Sequence, residues 1–230
     1  MRQIILDTET TGIGPEAGHK IIEIGCVELV DRQFTGRHFH VYLNPQREVD
    51  PEAFKVHGIS DEFLQDKALF ADIYAELIQF IQGAELIIHN APFDLGFLNW
   101  ELKLCGHSNR IADYCGVIDT LVMARKKHPG QKNNLDALCK RYHIDNSNRE
   151  LHGALLDAEI LGWVYLAMTG GQGNLFAHEE EVQARTEDHA VRISSKTYQG
   201  KIIMADADEL SRHEAMVALL VKKSGKNYFE

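Results

Sequence analysis

Three short runs in this chain place acids where they could meet. Asp7-Thr8-Glu9 ends the apolar run Ile4-Ile5-Leu6. Strand side chains alternate, so Asp7 and Glu9 project to one face. Two adjacent carboxylates repel unless a cation sits between them, and hard oxygen ligands suit Mg²⁺ or Mn²⁺. The second run, His89-Asn90-Ala91-Pro92-Phe93-Asp94, puts an acid in the first turn after another apolar stretch. The third, His152-Gly153-Ala154-Leu155-Leu156-Asp157, sets an acid inside an apolar helical segment, where it is costly unless paired. His152 stands beside a glycine that loosens the helix start, and a mobile imidazole there suits a general base acting on water. Each run alone also fits a plain structural role: solvated acids at a strand end, an acid favoured by a helix dipole, or a core histidine.

The elements that must position these residues follow from periodicity. Residues 2–7, 20–30 and 37–43 read as strands of an antiparallel meander, with a turn-like stretch from Asp31 to Gly36 before the third. Pro51 suits the first turn of a short helix ending near His57. Ile73, Leu77, Phe80 and Ile81 recur at helical spacing, and Gly83 supplies a stop. Residues 85–89 and 116–119 read as further strands. Residues 92–105, 120–128, 134–142 and 154–168 read as helices, the last apolar nearly all round and therefore buried.

Composition bounds what the chain can be. With 230 residues, 44% hydrophobic and 25% charged, it has the balance of a globular protein. No apolar run reaches the roughly 18 residues of a membrane span, and the start reaches Asp7 too soon for a signal peptide. Cys26, Cys105, Cys115 and Cys139 form no CxxC pair and read as buried thiols. A net charge of −10 argues against gripping nucleic acid by bulk positive potential, but not against an enzyme that reaches phosphates through divalent metals. A basic stretch over residues 125–141 offers either phosphate contacts or a solvated helix face. Beyond Gly170-Gly171 the composition changes. Residues 177–190 carry five acids against one Arg, as an acidic linker does. Residues 201–204 could form a strand, and residues 206–222 have an amphipathic helical pattern, which reads as a docking segment.

Taken together, the set Asp7, Glu9, Asp94 and Asp157 with His152 resembles the DEDD exonucleases, in the branch with a histidine in the third motif. Asp-Thr-Glu-Thr-Thr-Gly, Val56-His57-Gly58-Ile59, His-Asn-Ala-x-Phe-Asp and His-Gly-Ala-Leu-Leu-Asp-Ala are similar to those of the proofreading (epsilon) subunits of bacterial DNA polymerase III. The likeness is strong over residues 1–170. It implies an α/β ribonuclease H-like fold: a five-stranded mixed sheet, second strand antiparallel, flanked by helices. It implies two divalent cations, Mg²⁺ or Mn²⁺, about 4 Å apart across the scissile phosphate. Asp7 would bridge them, Glu9 and Asp157 would complete the tighter site, Asp94 would hold the second ion, and His152 would take a proton from water. The reaction would remove 5′-nucleoside monophosphates from a DNA 3′ end.

Further roles rest on the same resemblance. Thr10, Glu52, Val56 and His57 would surround the terminal nucleotide, together with Asp7, Glu9 and Asp157. Gln172, Leu175 and Phe176 resemble a sliding-clamp-binding peptide. The layout implies an exonuclease domain (1–170), a flexible linker carrying that peptide (171–190) and a segment docking the polymerase III alpha subunit (191–230). A small theta-like accessory subunit is a further implied partner, the setting is a bacterial cytoplasmic replisome, and no membrane is involved. An RNA-trimming exonuclease and a non-catalytic replicase scaffold are the alternatives.

Overall fold

The structure, a computed structural model, describes residues 1–149, 151–170 and 206–224. Two compact units divide the chain, Met1–Ala177 and His178–Glu230.

The first unit is built on five strands: β1 (Arg2–Thr10), β2 (Ile21–Val30), β3 (Gln33–Tyr42), β4 (Glu85–Ile88) and β5 (Gly116–Asp119). Their order is β3-β2-β1-β4-β5. β2 runs antiparallel to both β1 and β3, while β1, β4 and β5 are mutually parallel. The sheet is thus the mixed one implied above. Helices α1 (Pro51–His57), α2 (Asp61–Leu64), α3 (Phe70–Ile81), α4 (Ala91–Leu104), α5 (Ile111–Tyr114), α6 (Thr120–Lys127), α7 (Leu135–Tyr142) and α8 (Ala154–Thr169) surround it.

β1 is the central strand, and its apolar run is continuous because both faces are covered. Ile4 and Leu6 pack into a core with Phe70, Ile73 and Leu77 of α3 and Phe97 and Leu98 of α4. Ile5 faces the other way, into a core with Ala158, Leu161 and Tyr165 of α8. α8 is apolar nearly all round because its far side packs on Leu138 and Cys139 of α7 through Ile160 and Val164. It also lies very close to the sheet at one point. A Cβ on Gly25 of β2 would come within 2.2 Å of the Leu155 backbone nitrogen, so only glycine lets the helix start there.

One boundary differs from the sequence reading. β3 begins at Gln33, four residues before the expected start. Asp31 and Arg32 both take positive φ, at 49° and 67°, and make a tight two-residue hairpin turn. The glycine at 36, with φ of 80°, lies inside the strand near a register shift between Val27 and Leu29 and marks an irregularity, not the turn. The cysteines are free thiols; Cys26, Cys115 and Cys139 are buried, whereas Cys105 is only half-buried, at the C-terminal end of α4.

In the second unit a single helix is described, α9 (Ala207–Ser224), with Leu210, Met216 and Val221 exposed on it. The expected strand at 201–204 and the residues Gln172, Leu175 and Phe176 lie outside the described residues.

Candidate active site

The acids converge at the C-terminal end of β1, and the strand alternation explains how. Asp7 and Glu9 share the face of Ile5, toward α8. Thr8 shares the face of Leu6, toward α4, and its hydroxyl donates to Asp94 Oδ1 at 2.7 Å. Asp94, in the first turn of α4, is only 3% exposed. Asp157, in the first turn of α8, is also 3% exposed. The two helical layers therefore deliver one acid each, from opposite sides of the sheet, to the end of one strand. Asp7, Glu9, Asp94, Asp157 and His152 all line one cleft of about 310 Å³.

His152 precedes α8 in an extended segment. Its backbone N–H donates to the Val56 carbonyl of α1 at 3.1 Å, and Leu151 packs against Gly58. Helix α1 thus holds the loop that carries the imidazole. Glu9, His152 and Asp157 each offer a ligand atom within 4.8 Å of the others. Two carboxylates and an imidazole at that spacing, with Asp7 and Asp94 in the same cleft, form a donor set that fits a hard divalent cation.

The electrostatics point the same way. Burial, then the charges of Asp94, Glu9 and Asp157, hold the Asp7 carboxyl well above the usual range. Burial and the Asp157 charge raise Glu9 to about 8. Asp94 is raised to about 7 by burial, against the hydrogen bond from Thr8. His152 is lowered by burial and by Arg149 beside it, which favours the neutral ring.

These shifts predict a pH dependence of the metal-free protein. An acid raised on folding favours the protonated native state, so its stabilising contribution is complete below the ordinary carboxyl range and disappears as pH rises through the shifted value. The thermal midpoint in chelator is expected to fall by about 5–10 °C between about pH 5 and 8. Glu9→Gln should flatten that slope. A calorimetric pH series checks this, and a midpoint that is level or rises across the range contradicts it.

A second cleft of about 520 Å³ adjoins the first, sharing Thr8, Glu9 and Phe93 with it. Thr10, Glu52, Val56 and His57 all line it. Glu52 is exposed and pairs with Lys55 at 2.6 Å. Val56 is half exposed, and His57 is buried. His57 Nδ1 accepts from the Ile59 N–H at 3.0 Å, so its neutral ring carries the proton on Nε2, which has no partner among the described residues. Burial lowers the pKa of His57 and keeps it neutral.

Sequence reasoning missed several residues here. Arg149 holds Asp157 and Asp136 through charged hydrogen bonds. Ile13 is 85% exposed in the wall of the second cleft; its one visible signal is a lone large apolar residue between Gly12 and Gly14. The basic stretch divides. Arg125, Lys126, Lys127, Lys132 and Lys140 are exposed, while Arg141 bonds the Asn133 side chain and the Lys132 carbonyl.

Residues 4–165 match the family described as exonuclease. The chain is 53% identical to the DNA polymerase III subunit epsilon of Salmonella typhimurium over 97% of its own length and 95% of that protein's. It is 49% identical to the Haemophilus influenzae protein of the same name, over 98% and 93%. Among solved structures it is similar to exonuclease X in complex with 5′-overhanging duplex DNA (TM-score 0.60, 25% identity, 74% of this chain and 93% of that one). The zinc-bound Escherichia coli exonuclease I complex with single-stranded DNA has the same fold (TM-score 0.64, 18% identity, 74% and 41%). The convergence of acids at the end of β1 thus sits in a known framework, and the chain belongs to the exonuclease family that includes the DNA polymerase III epsilon subunits.

Proposed function

We propose that this chain is the proofreading 3′-to-5′ exonuclease of a bacterial DNA polymerase III, releasing 5′-nucleoside monophosphates from the primer end. The observation that carries this reading is the meeting of Asp7, Glu9, Asp94 and Asp157 with His152 in one cleft. Asp7, Glu9 and Asp157 would hold one divalent cation, and Asp7 with Asp94 a second, Mg²⁺ or Mn²⁺. When bound, such ions supply Lewis acidity and neutralise charge building on the scissile phosphate.

The chain's own groups do the rest. Neutral His152, on its exposed loop, accepts the proton of the attacking water. Thr8 fixes the Asp94 carboxylate by its hydroxyl. The apolar wall of the second cleft, with Val56 and Ile13, offers a surface for the terminal base, and His57 lines the same cleft beside it. Thr10, with its hydroxyl engaged by the Gly12 carbonyl at 2.8 Å, keeps its loop in place beside the 3′ hydroxyl. Glu52 lies at the exposed rim of the same cleft.

The polymerase III complex, in a cytoplasmic replisome, is the proposed setting. Within it, residues 191–230 would dock the alpha subunit, and Gln172, Leu175 and Phe176 would bind the sliding clamp. A theta-like subunit would bind the exonuclease unit. Tethering of this kind raises the local concentration at the primer end to the millimolar range or so, so the acidic enzyme needs little affinity of its own for DNA.

The test is Mg²⁺-dependent digestion of primer–template DNA with a matched or mismatched 3′ end, beside an RNA oligonucleotide. A mismatch removes part of the unpairing cost, and the mismatched primer is expected to be trimmed about tenfold faster than the matched one. RNA trimmed faster than either DNA would replace this reading with that of an RNA-processing exonuclease.

A further inference from the structure

The Asp157 carboxylate already has a cation on it. Arg149 Nε donates to Oδ1 at 2.5 Å and Nη2 to Oδ2 at 2.7 Å, so both oxygens are engaged by one planar guanidinium. Nη1 donates to Asp136 Oδ1 at 2.6 Å, and Nη2 also approaches His152 Nδ1 at 3.1 Å. The Arg149 side chain is 7% exposed and that of Asp157 is 4% exposed, while Asp136 is 56% exposed. This is a buried, two-pronged, charge-assisted contact, the strong form of such pairs.

Each oxygen keeps a second lone pair, but a guanidinium seated on both makes a divalent cation approach against a full positive charge, so metal binding works against the two-pronged contact. We infer that Arg149 is a resident counter-ion: it holds Asp157 until a divalent cation takes that carboxylate, and the exchange sets the affinity of the site for the metal. This rests on the metal-ligand reading of Asp157 given above.

The surroundings fit an exchange better than a fixed structural pair. Arg149 lies in the loop between α7 and α8 and not within a helix, so its side chain can shift without moving either acid. Asp136, at the start of α7 and partly in solvent, gives the guanidinium a second anchor. Leaving Asp157 therefore does not strand a bare buried charge, which is what makes breaking most buried pairs so costly. The same Nη2 that holds Asp157 donates to His152 Nδ1, engaging the lone pair of the neutral imidazole. Releasing Asp157 to a cation thus also loosens the grip on His152. In the metal-free protein the arginine also compensates two further acids, because its charge bears on Asp7 and Glu9.

The experiment measures Mn²⁺ binding to the full chain by electron paramagnetic resonance, with Mn²⁺ alone as the probe. Alongside it, the thermal midpoint is taken in chelator. Arg149→Gln is expected to bind Mn²⁺ about tenfold tighter and to have a lower metal-free midpoint. Mn²⁺ should then raise that midpoint by more than in the wild type. Arg149→Lys keeps the charge but cannot hold both oxygens, so it should bind Mn²⁺ tighter than wild type by a smaller factor; it serves also if Arg149→Gln folds poorly. Wild-type affinity in Arg149→Gln, or weaker, overturns the exchange. So does wild-type affinity in Arg149→Lys, which would leave net charge as the whole cause of any gain in Arg149→Gln. Asp157→Asn separates the two levels. If it binds Mn²⁺ as the wild type does, the assignment of Asp157 as a ligand fails, and the exchange with it. If binding is lost there but Arg149→Gln changes nothing, only the exchange fails.

Discussion

Asp7→Ala is expected to cut nucleotide release by about 10³-fold or more, with the fold intact. Asp7 lies at the centre of the acid set, in the middle of the central strand's C-terminal half, and the charges of Asp94, Glu9 and Asp157 all bear on it. Those same charges, together with burial, disfavour its ionised form. Removing it relieves repulsion, so the metal-free protein should be as stable as the wild type or more so. An acid kept for structure would behave in the opposite way, because its loss would expose partners. Asp7→Asn, of nearly equal volume, should match the alanine variant in activity and rule out packing as the cause. Release of labelled nucleotide in Mg²⁺, with thermal midpoints in chelator, checks both halves. Activity within tenfold of wild type would reject the role given to Asp7.

Gly25→Ala should be the most damaging glycine-to-alanine change among the described residues. The added Cβ would lie 2.2 Å from Leu155 N, 2.3 Å from Ala154 C and 2.4 Å from Ala154 O. All three are backbone atoms of the first turn of α8, so no side chain can rotate aside. Either β2 or α8 must move, at a cost of about 3 kcal/mol or more, which is the upper end of overpacking penalties. For a chain of this size that lowers the midpoint by about 6–12 °C. The displaced element carries the site, since Asp157 is in that same first turn. Activity should therefore fall beyond what the lost stability explains, even well below the new midpoint. Gly96→Ala, in α4, is the contrast. Nothing lies within 4 Å of its added Cβ, and the helix should gain up to about 1 kcal/mol. If Gly25→Ala melts and cleaves like Gly96→Ala, the close approach of α8 to β2 is not a constraint on the site.

Much of the architecture was legible because it is written in local periodicity. The continuous apolar run of β1 marks a strand covered on both faces. The spacing of Ile73, Leu77 and Ile81 gives the buried stripe of α3, and the nearly uniform apolarity of 154–168 marks a helix enclosed between sheet and α7. The misjudged start of β3 has a local cause too. The sequence reading extends the turn from Asp31 to Gly36, whereas Asp31 and Arg32 alone make it with positive φ and β3 already begins at Gln33. The mixed sheet with an antiparallel second strand came from family likeness, and the order of the strands only from the tertiary structure, since periodicity says which face is buried but not which strand lies beside which.

By itself the amino-acid sequence determined that acids stand at the ends of apolar strands and in the first turns of apolar helices, because element ends and burial follow from residue chemistry over a few positions. Only the tertiary structure decided that Asp94 arrives on the α4 side, through Thr8, while Asp157 arrives on the α8 side. It alone paired Arg149 with Asp157 and Asp136. The physical reason is that hydrophobic pattern records how much of a residue is buried and on which face of its own element. The partner across a loop depends on the path of that loop, here tied down in part by the hydrogen bond from His152 to Val56, and no periodicity encodes it.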